Sequence, residues 1–100
     1  MQNFKHPSPS YTKESINPRT FYEVELGITP KSNGIGWYVG GLCPFHNDTK
    51  QGSFRVHLGN GAFTCFACGT KGGDILAFTQ LRYSLNFPET IRKLIKDWGI

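Results

Sequence analysis

The sequence predicts an α+β domain in which a small antiparallel sheet is flanked by helices. Three observations carry this. Capping residues bracket one helical stretch between Asn17 and Gly27 and open another at Asn86. Residues 53–58 (SFRVHL) alternate, with Phe54, Val56 and Leu58 on one face and Ser53, Arg55 and His57 on the other. Gly59-Asn60-Gly61 then gives a strong hairpin signal.

The chain has 100 residues, enough for one small domain and too few for two cores. With 38% apolar residues that core is thin, and domains of this size usually gain from a staple such as a metal. Residues 1–16 are rich in Ser, Pro, Lys and Asn and read as a flexible tail, with residues 17–100 as the folded domain. The first helix has Asn17 as N-cap, Pro18 at its first position and Gly27 past its end. Phe21, Val24 and Ile28 are its expected apolar stripe.

Residues 29–36 form a loop, given Pro30, Ser32, Asn33 and Gly34. Residues 37–42 (WYVGGL) read as a strand, and residues 62–66 (AFTCF) as the return strand of the hairpin. Gly72-Gly73 breaks the chain before a helix over about residues 74–84, capped by Asp74. A last helix covers residues 87–98, with Asn86 and Glu89 at capping-box spacing. Ile91, Leu94, Ile95 and Trp98 follow i, i+3, i+4, i+7, a core-facing stripe.

Three cysteines are an odd number, against a pure disulfide framework. The N-terminus lacks the apolar run of a signal peptide, and no stretch is long and apolar enough for a membrane span. A reducing, cytoplasmic location follows as an expectation, and there clustered cysteines more often bind metal.

Cys43-Pro44-Phe45-His46 is followed, after 18 residues, by Cys65-Phe66-Ala67-Cys68. Two ligand pairs of this spacing suit one tetrahedral zinc ion, and the gap between them accommodates a hairpin. Sulfur and imidazole donors favour Zn²⁺ over magnesium or calcium. Four protein ligands leave no open position, so the expected site is structural and the fold a zinc ribbon. A thioredoxin-like role for Cys65 and Cys68 lacks its βαβ setting. His57 competes with His46 as fourth ligand, but its place in mid-strand argues against it. His6, in the tail, reads as incidental.

The segments GLCPFHNDT, SFRV and CFACGTKGGD together resemble the zinc-binding domain of bacterial-type DNA primases. The matching positions are Cys43-Pro44-Phe45-His46, Ser53-Phe54-Arg55-Val56, Cys65-Phe66-Ala67-Cys68-Gly69 and Gly72-Gly73-Asp74. The resemblance runs from about residue 18 to 98, so residues 17–100 become a primase-like zinc-binding domain. Gly52 stands where the family often has proline. In the family such a domain precedes a Toprim-type polymerase core, for which this chain has no room. The resemblance implies a module that reads single-stranded template at primer initiation in DNA replication, without its own catalytic core. A bacterial, phage or mobile-element origin and partners such as a primase core or helicase are the matching expectations.

Catalytic residues are not expected. The acidic residues are Glu14, Glu23, Glu25, Asp48, Asp74, Glu89 and Asp97, which do not cluster as two-metal chemistry requires. They read as solvated surface charges. Gly69-Thr70-Lys71-Gly72-Gly73 falls short of a phosphate-binding loop. The formal charge of +4 is a mild bias towards an anionic partner, lowered by one when three thiolates hold Zn²⁺.

Single-strand binders combine a basic track with aromatic faces. Lys50, Arg55, His57 and Lys71 are the candidate cationic or polar contacts, and Tyr38 and Phe66 the candidate stacking platforms. Trp37, Phe45, Phe54 and Phe63 read as core. The competing function is a protein-interaction module that docks on a helicase, polymerase or relaxase, since fold alone does not decide between them.

Overall fold

Local chemistry sets the helix ends. The Asn17 side chain accepts the Thr20 amide at 3.2 Å and starts a helix that ends at Gly27, whose φ of 68° lies in the left-handed region. In the capping box before the last helix, the Asn86 side chain accepts the Glu89 amide and the Glu89 carboxylate accepts the Asn86 amide, each at 2.9 Å. Asp74 accepts the Ala77 amide at 2.9 Å and opens the helix between them.

The computed structural model describes residues 9–30 and 34–100. Its elements are α1 (Pro9–Ser15), α2 (Pro18–Leu26), β1 (Trp37–Val39), β2 (Phe54–His57), β3 (Phe63–Cys65), β4 (Lys71–Gly72), α3 (Ile75–Tyr83) and α4 (Phe87–Trp98). The sheet is antiparallel throughout, in the order β1-β2-β3-β4. The expected α+β fold is therefore observed.

The core fills the space between one sheet face and the helices. Phe54 and Val56 from β2 and Phe63 and Cys65 from β3 point into it, as alternation requires. Phe78 of α3 is its centre. Its ring meets Phe21 at 5.7 Å, Tyr22 at 5.2 Å, Phe45 at 5.3 Å and Phe63 at 5.4 Å, all edge to face. The buried Tyr22 hydroxyl donates to the Gly61 carbonyl at 2.7 Å and ties α2 to the β2–β3 turn. From α4, Ile91 and Leu94 are buried, and Ile95 and Trp98 pack against the core. The Trp98 ring stacks on Phe21 at 5.9 Å.

Several expectations are corrected. Pro9–Ser15 is helical where a tail was expected, Thr12 is buried and Ile16 is only 2% exposed, so this segment joins the core. Residues 1–8 of that tail, with His6, and residues 31–33 of the expected loop lie outside the described residues. On α2, Val24 is 69% exposed and Tyr22 takes its place in the core. The strand expected over residues 37–42 closes at Val39, and β4 had no counterpart in the sequence reading. Gly72 in β4 is required by close approach: a Cβ there would lie 2.5 Å from the Phe63 ring.

Tyr38 and Trp37 exchange roles. The pairing of Tyr38 with Val56 puts Tyr38 on the inward face, packed against the core. Trp37 pairs with His57 on the outward face and is 54% exposed. A shift of one residue in strand phase inverts both assignments.

Candidate metal centre

The two ligand pairs sit on separate turns. Cys43-Pro44-Phe45-His46 leads into a turn after β1, and the Phe45 amide approaches Cys43 Sγ at 3.4 Å. The second pair follows from β3: Cys65 is its last residue, and the Gly69 amide donates to the Cys65 carbonyl at 2.8 Å to close the turn carrying Cys68. Phe45 locks the first turn in place, stacking on Phe63 at 5.6 Å.

The donor atoms of Cys43, His46, Cys65 and Cys68 all lie within 4.8 Å of one another. A tetrahedral zinc ion with Zn–S bonds of about 2.3 Å needs sulfur–sulfur edges of about 3.8 Å. Cys43 Sγ and Cys68 Sγ are 3.9 Å apart, and Cys65 Sγ is 4.0 Å from His46 Nδ1. The residues fit the ion, and the expected set converges on one point. His57 does not join it: its Nδ1 accepts the Gly59 and Asn60 amides at 3.2 and 3.1 Å. Three sulfurs and one imidazole make a closed site, so the zinc is structural and supplies cross-linking, not reaction chemistry.

Around these ligands stands a residue that sequence reasoning left among the surface charges. Asp48 Oδ2 accepts the Cys43 amide at 2.8 Å, and Oδ1 accepts the Lys50 amide at 3.3 Å. Its Oδ1 also lies 3.6 Å from His46 Nε2, the ring nitrogen away from the sulfurs. A carboxylate in this position orients the imidazole so that Nδ1 faces the metal. The Cys43 amide, ahead of the other contacts, holds the Asp48 carboxyl below its ordinary range. The spacing His46-Asn47-Asp48 was the available signal, because metal-bound histidines so often pair with a carboxylate.

The thiols are unequal. Burial pushes Cys43 up to about 12. The Thr70 hydroxyl, 3.2 Å from Cys68 Sγ, and then the Thr70 amide hold Cys68 down to about 6. Cys43 and Cys65 are buried, whereas Cys68 faces solvent. Zinc takes the thiolate, so its binding displaces the proton that burial favours on Cys43, while the Thr70 contacts favour the ionised form of Cys68.

The remaining sequence candidates divide by position. Arg55, Phe66 and Lys71 line one groove on the outward sheet face, joined there by Trp37. Lys50 is exposed on the loop before β2 and is not among the groove residues. Tyr38 faces the other way. His57 serves the hairpin turn and packs edge to face against Trp37 at 5.3 Å.

Residues 26–100 match the family model described as CHC2 zinc finger. Among curated proteins, the DNA primase of Rickettsia prowazekii is 37% identical over 90 residues, 90% of this chain and 14% of that protein. The DNA primase of Thermotoga maritima is 39% identical over 66 residues, 66% of this chain and 11% of the relative. That of Mycobacterium leprae is 46% identical over 59 residues, 59% of this chain and 9% of the relative. The chain thus spans a small part of the length of these curated relatives. No solved structure matches the chain significantly. No helix among the described residues is long and apolar enough to cross a membrane.

Proposed function

The chain belongs to the CHC2 zinc finger family and is a DNA primase-related zinc-binding domain, and from that premise we propose that it grips single-stranded DNA template. On this reading it acts at primer initiation as a binding module, and the polymerising chemistry belongs to a separate catalytic core. The zinc ion holds the two ligand turns together, and the sheet between them presents its outward face to the strand.

One observation supports this above the others. The groove on that face is lined by Arg55 and Lys71 and, among the described residues, by no acidic side chain. Lys71 makes no ion pair among the described residues, so its charge is available to a phosphate. Arg55 is held over the face by donation from Nε to the Gly52 carbonyl at 2.8 Å. Contacts of this kind go to phosphate, which gives salt-dependent binding with little sequence choice.

The test is fluorescence anisotropy of a labelled single-stranded oligonucleotide at two salt concentrations. Binding should weaken as salt rises, and Arg55→Ala and Lys71→Ala should each reduce both the affinity and the slope of that salt dependence. Absence of binding at low salt sinks the reading and leaves a protein partner in its place.

A further inference from the structure

Strand register organises the outward face into rows. Val39 pairs with Arg55, Arg55 with Thr64, and Thr64 with Lys71, so one row crosses all four strands. With strands about 4.8 Å apart, the backbones of its two cationic residues, Arg55 and Lys71, stand about 10 Å from each other. The next row holds Trp37 opposite His57. On the other side, the Phe66 amide donates to the Ser53 carbonyl, which puts Phe66 beside Ser53 and on the same face as Thr64. Residues 53 and 57 are separated by four strand steps of about 3.3 Å, so Trp37 and Phe66 flank the cation row about 13 Å apart along the strands.

Both rings are unusually open for their size. Phe66 is 73% exposed and Trp37 is 54% exposed, and both line the same groove of about 890 Å³. That volume lies within the range of sites that enclose whole small ligands, so there is room for more than an ion. Large aromatic rings left in water on both sides of a cation row have a matching ligand: flat, apolar rings joined by an anionic linker. Single-stranded nucleic acid has that form, and its unpaired bases stack on aromatic side chains.

The geometry points to Trp37 and Phe66 as paired base-stacking anchors, with the phosphates between the two stacked bases lying over Arg55 and Lys71. This rests on the single-stranded DNA reading and adds that the groove grips bases as well as charge. His57 backs Trp37 and fixes its ring by edge-to-face contact. Duplex DNA cannot bind in this way, because its bases are already stacked on each other.

The experiment compares an oligothymidylate with an abasic strand of equal length and equal charge, using the zinc-loaded full chain. The base-containing strand should bind roughly tenfold or more tightly. Trp37→Ala and Phe66→Ala should each remove most of that difference while leaving the salt slope unchanged. A second readout uses Trp98→Phe, which leaves Trp37 as the single tryptophan; its fluorescence should be quenched by the normal strand and unaffected by the abasic one. Equal affinity for the two strands, with Trp37→Ala neutral, overturns the stacking anchors and leaves phosphate binding standing. Failure of both strands to bind at low salt overturns the anchors together with the DNA reading.

Discussion

Cys43 donates its backbone N–H to the Asp48 carboxylate at 2.8 Å, so a metal ligand and a residue five positions away are fixed to each other. The other Asp48 oxygen faces the outer nitrogen of His46. Replacing Asp48 by Ala should weaken zinc binding by about 10–100-fold, the usual range for the partners of metal ligands. Competition against a chelator measures it. Unchanged affinity would reduce Asp48 to a turn residue.

Loss of the ion is a larger effect. Structural zinc contributes roughly 10–16 kcal/mol in zinc-finger peptides, whereas whole domains are stable by about 5–15 kcal/mol. Chelation or Cys65→Ser should therefore collapse the sheet, seen as loss of near-ultraviolet circular dichroism with one zinc released per chain. A metal-free chain with the native spectrum would refute the assignment.

Acid should act through the same sulfurs. Free thiols titrate near 8.5, whereas zinc keeps Cys43, Cys65 and Cys68 ionised far below that. A sulfur bound to zinc carries no proton, whereas the thiols of the unfolded chain take protons up below about pH 8.5, so the stabilisation is complete above that pH and is lost as pH falls. In that window the unfolded chain takes up three more protons than the zinc-bound form. Stability should then drop by about 4 kcal/mol per pH unit at fixed free zinc. Urea unfolding between pH 8 and pH 6.5 reads this slope, and a flat profile would exclude thiolate ligation.

Much of this was legible from residue types and spacing. The ligand set announced itself, because Cys-x-x-His and Cys-x-x-Cys around a hairpin have few other uses. The caps at Asn17, Asp74 and Asn86 marked helix starts for the same local reason. What was hidden depends on distant partners. A three-residue β1 is too short for alternation to show its phase, which the pairing of Tyr38 with Val56 decides. A two-residue β4 exists only as a partner for β3. The polar composition of residues 9–16 concealed that Thr12 and Ile16 are buried.

That last point has a direct test. Ile16 belongs to the core cluster although it lies in a segment whose composition suggests a tail. Ile16→Ala should cost about 2–5 kcal/mol in urea unfolding of the zinc-loaded protein. A change below about 0.5 kcal/mol, normal for a surface position, would detach this segment from the core.

Gly72 offers a test of packing between sheet and helix. A methyl group there meets the Phe63 ring and, at 2.9 Å, the Cβ of Ala77 on α3. Gly72→Ala should destabilise by about 1–3 kcal/mol through overpacking, with zinc content unchanged. Thermal unfolding with parallel metal analysis separates the two effects.

The strand order follows the chain from β1 to β4, so each pairing joins neighbours along the polypeptide and no strand has to find a remote mate. Such local topologies fold quickly. The step expected to limit folding is then the gathering of four donor atoms around a hydrated ion. Refolding kinetics will report metal capture, and their rate will follow the free zinc concentration rather than the sheet.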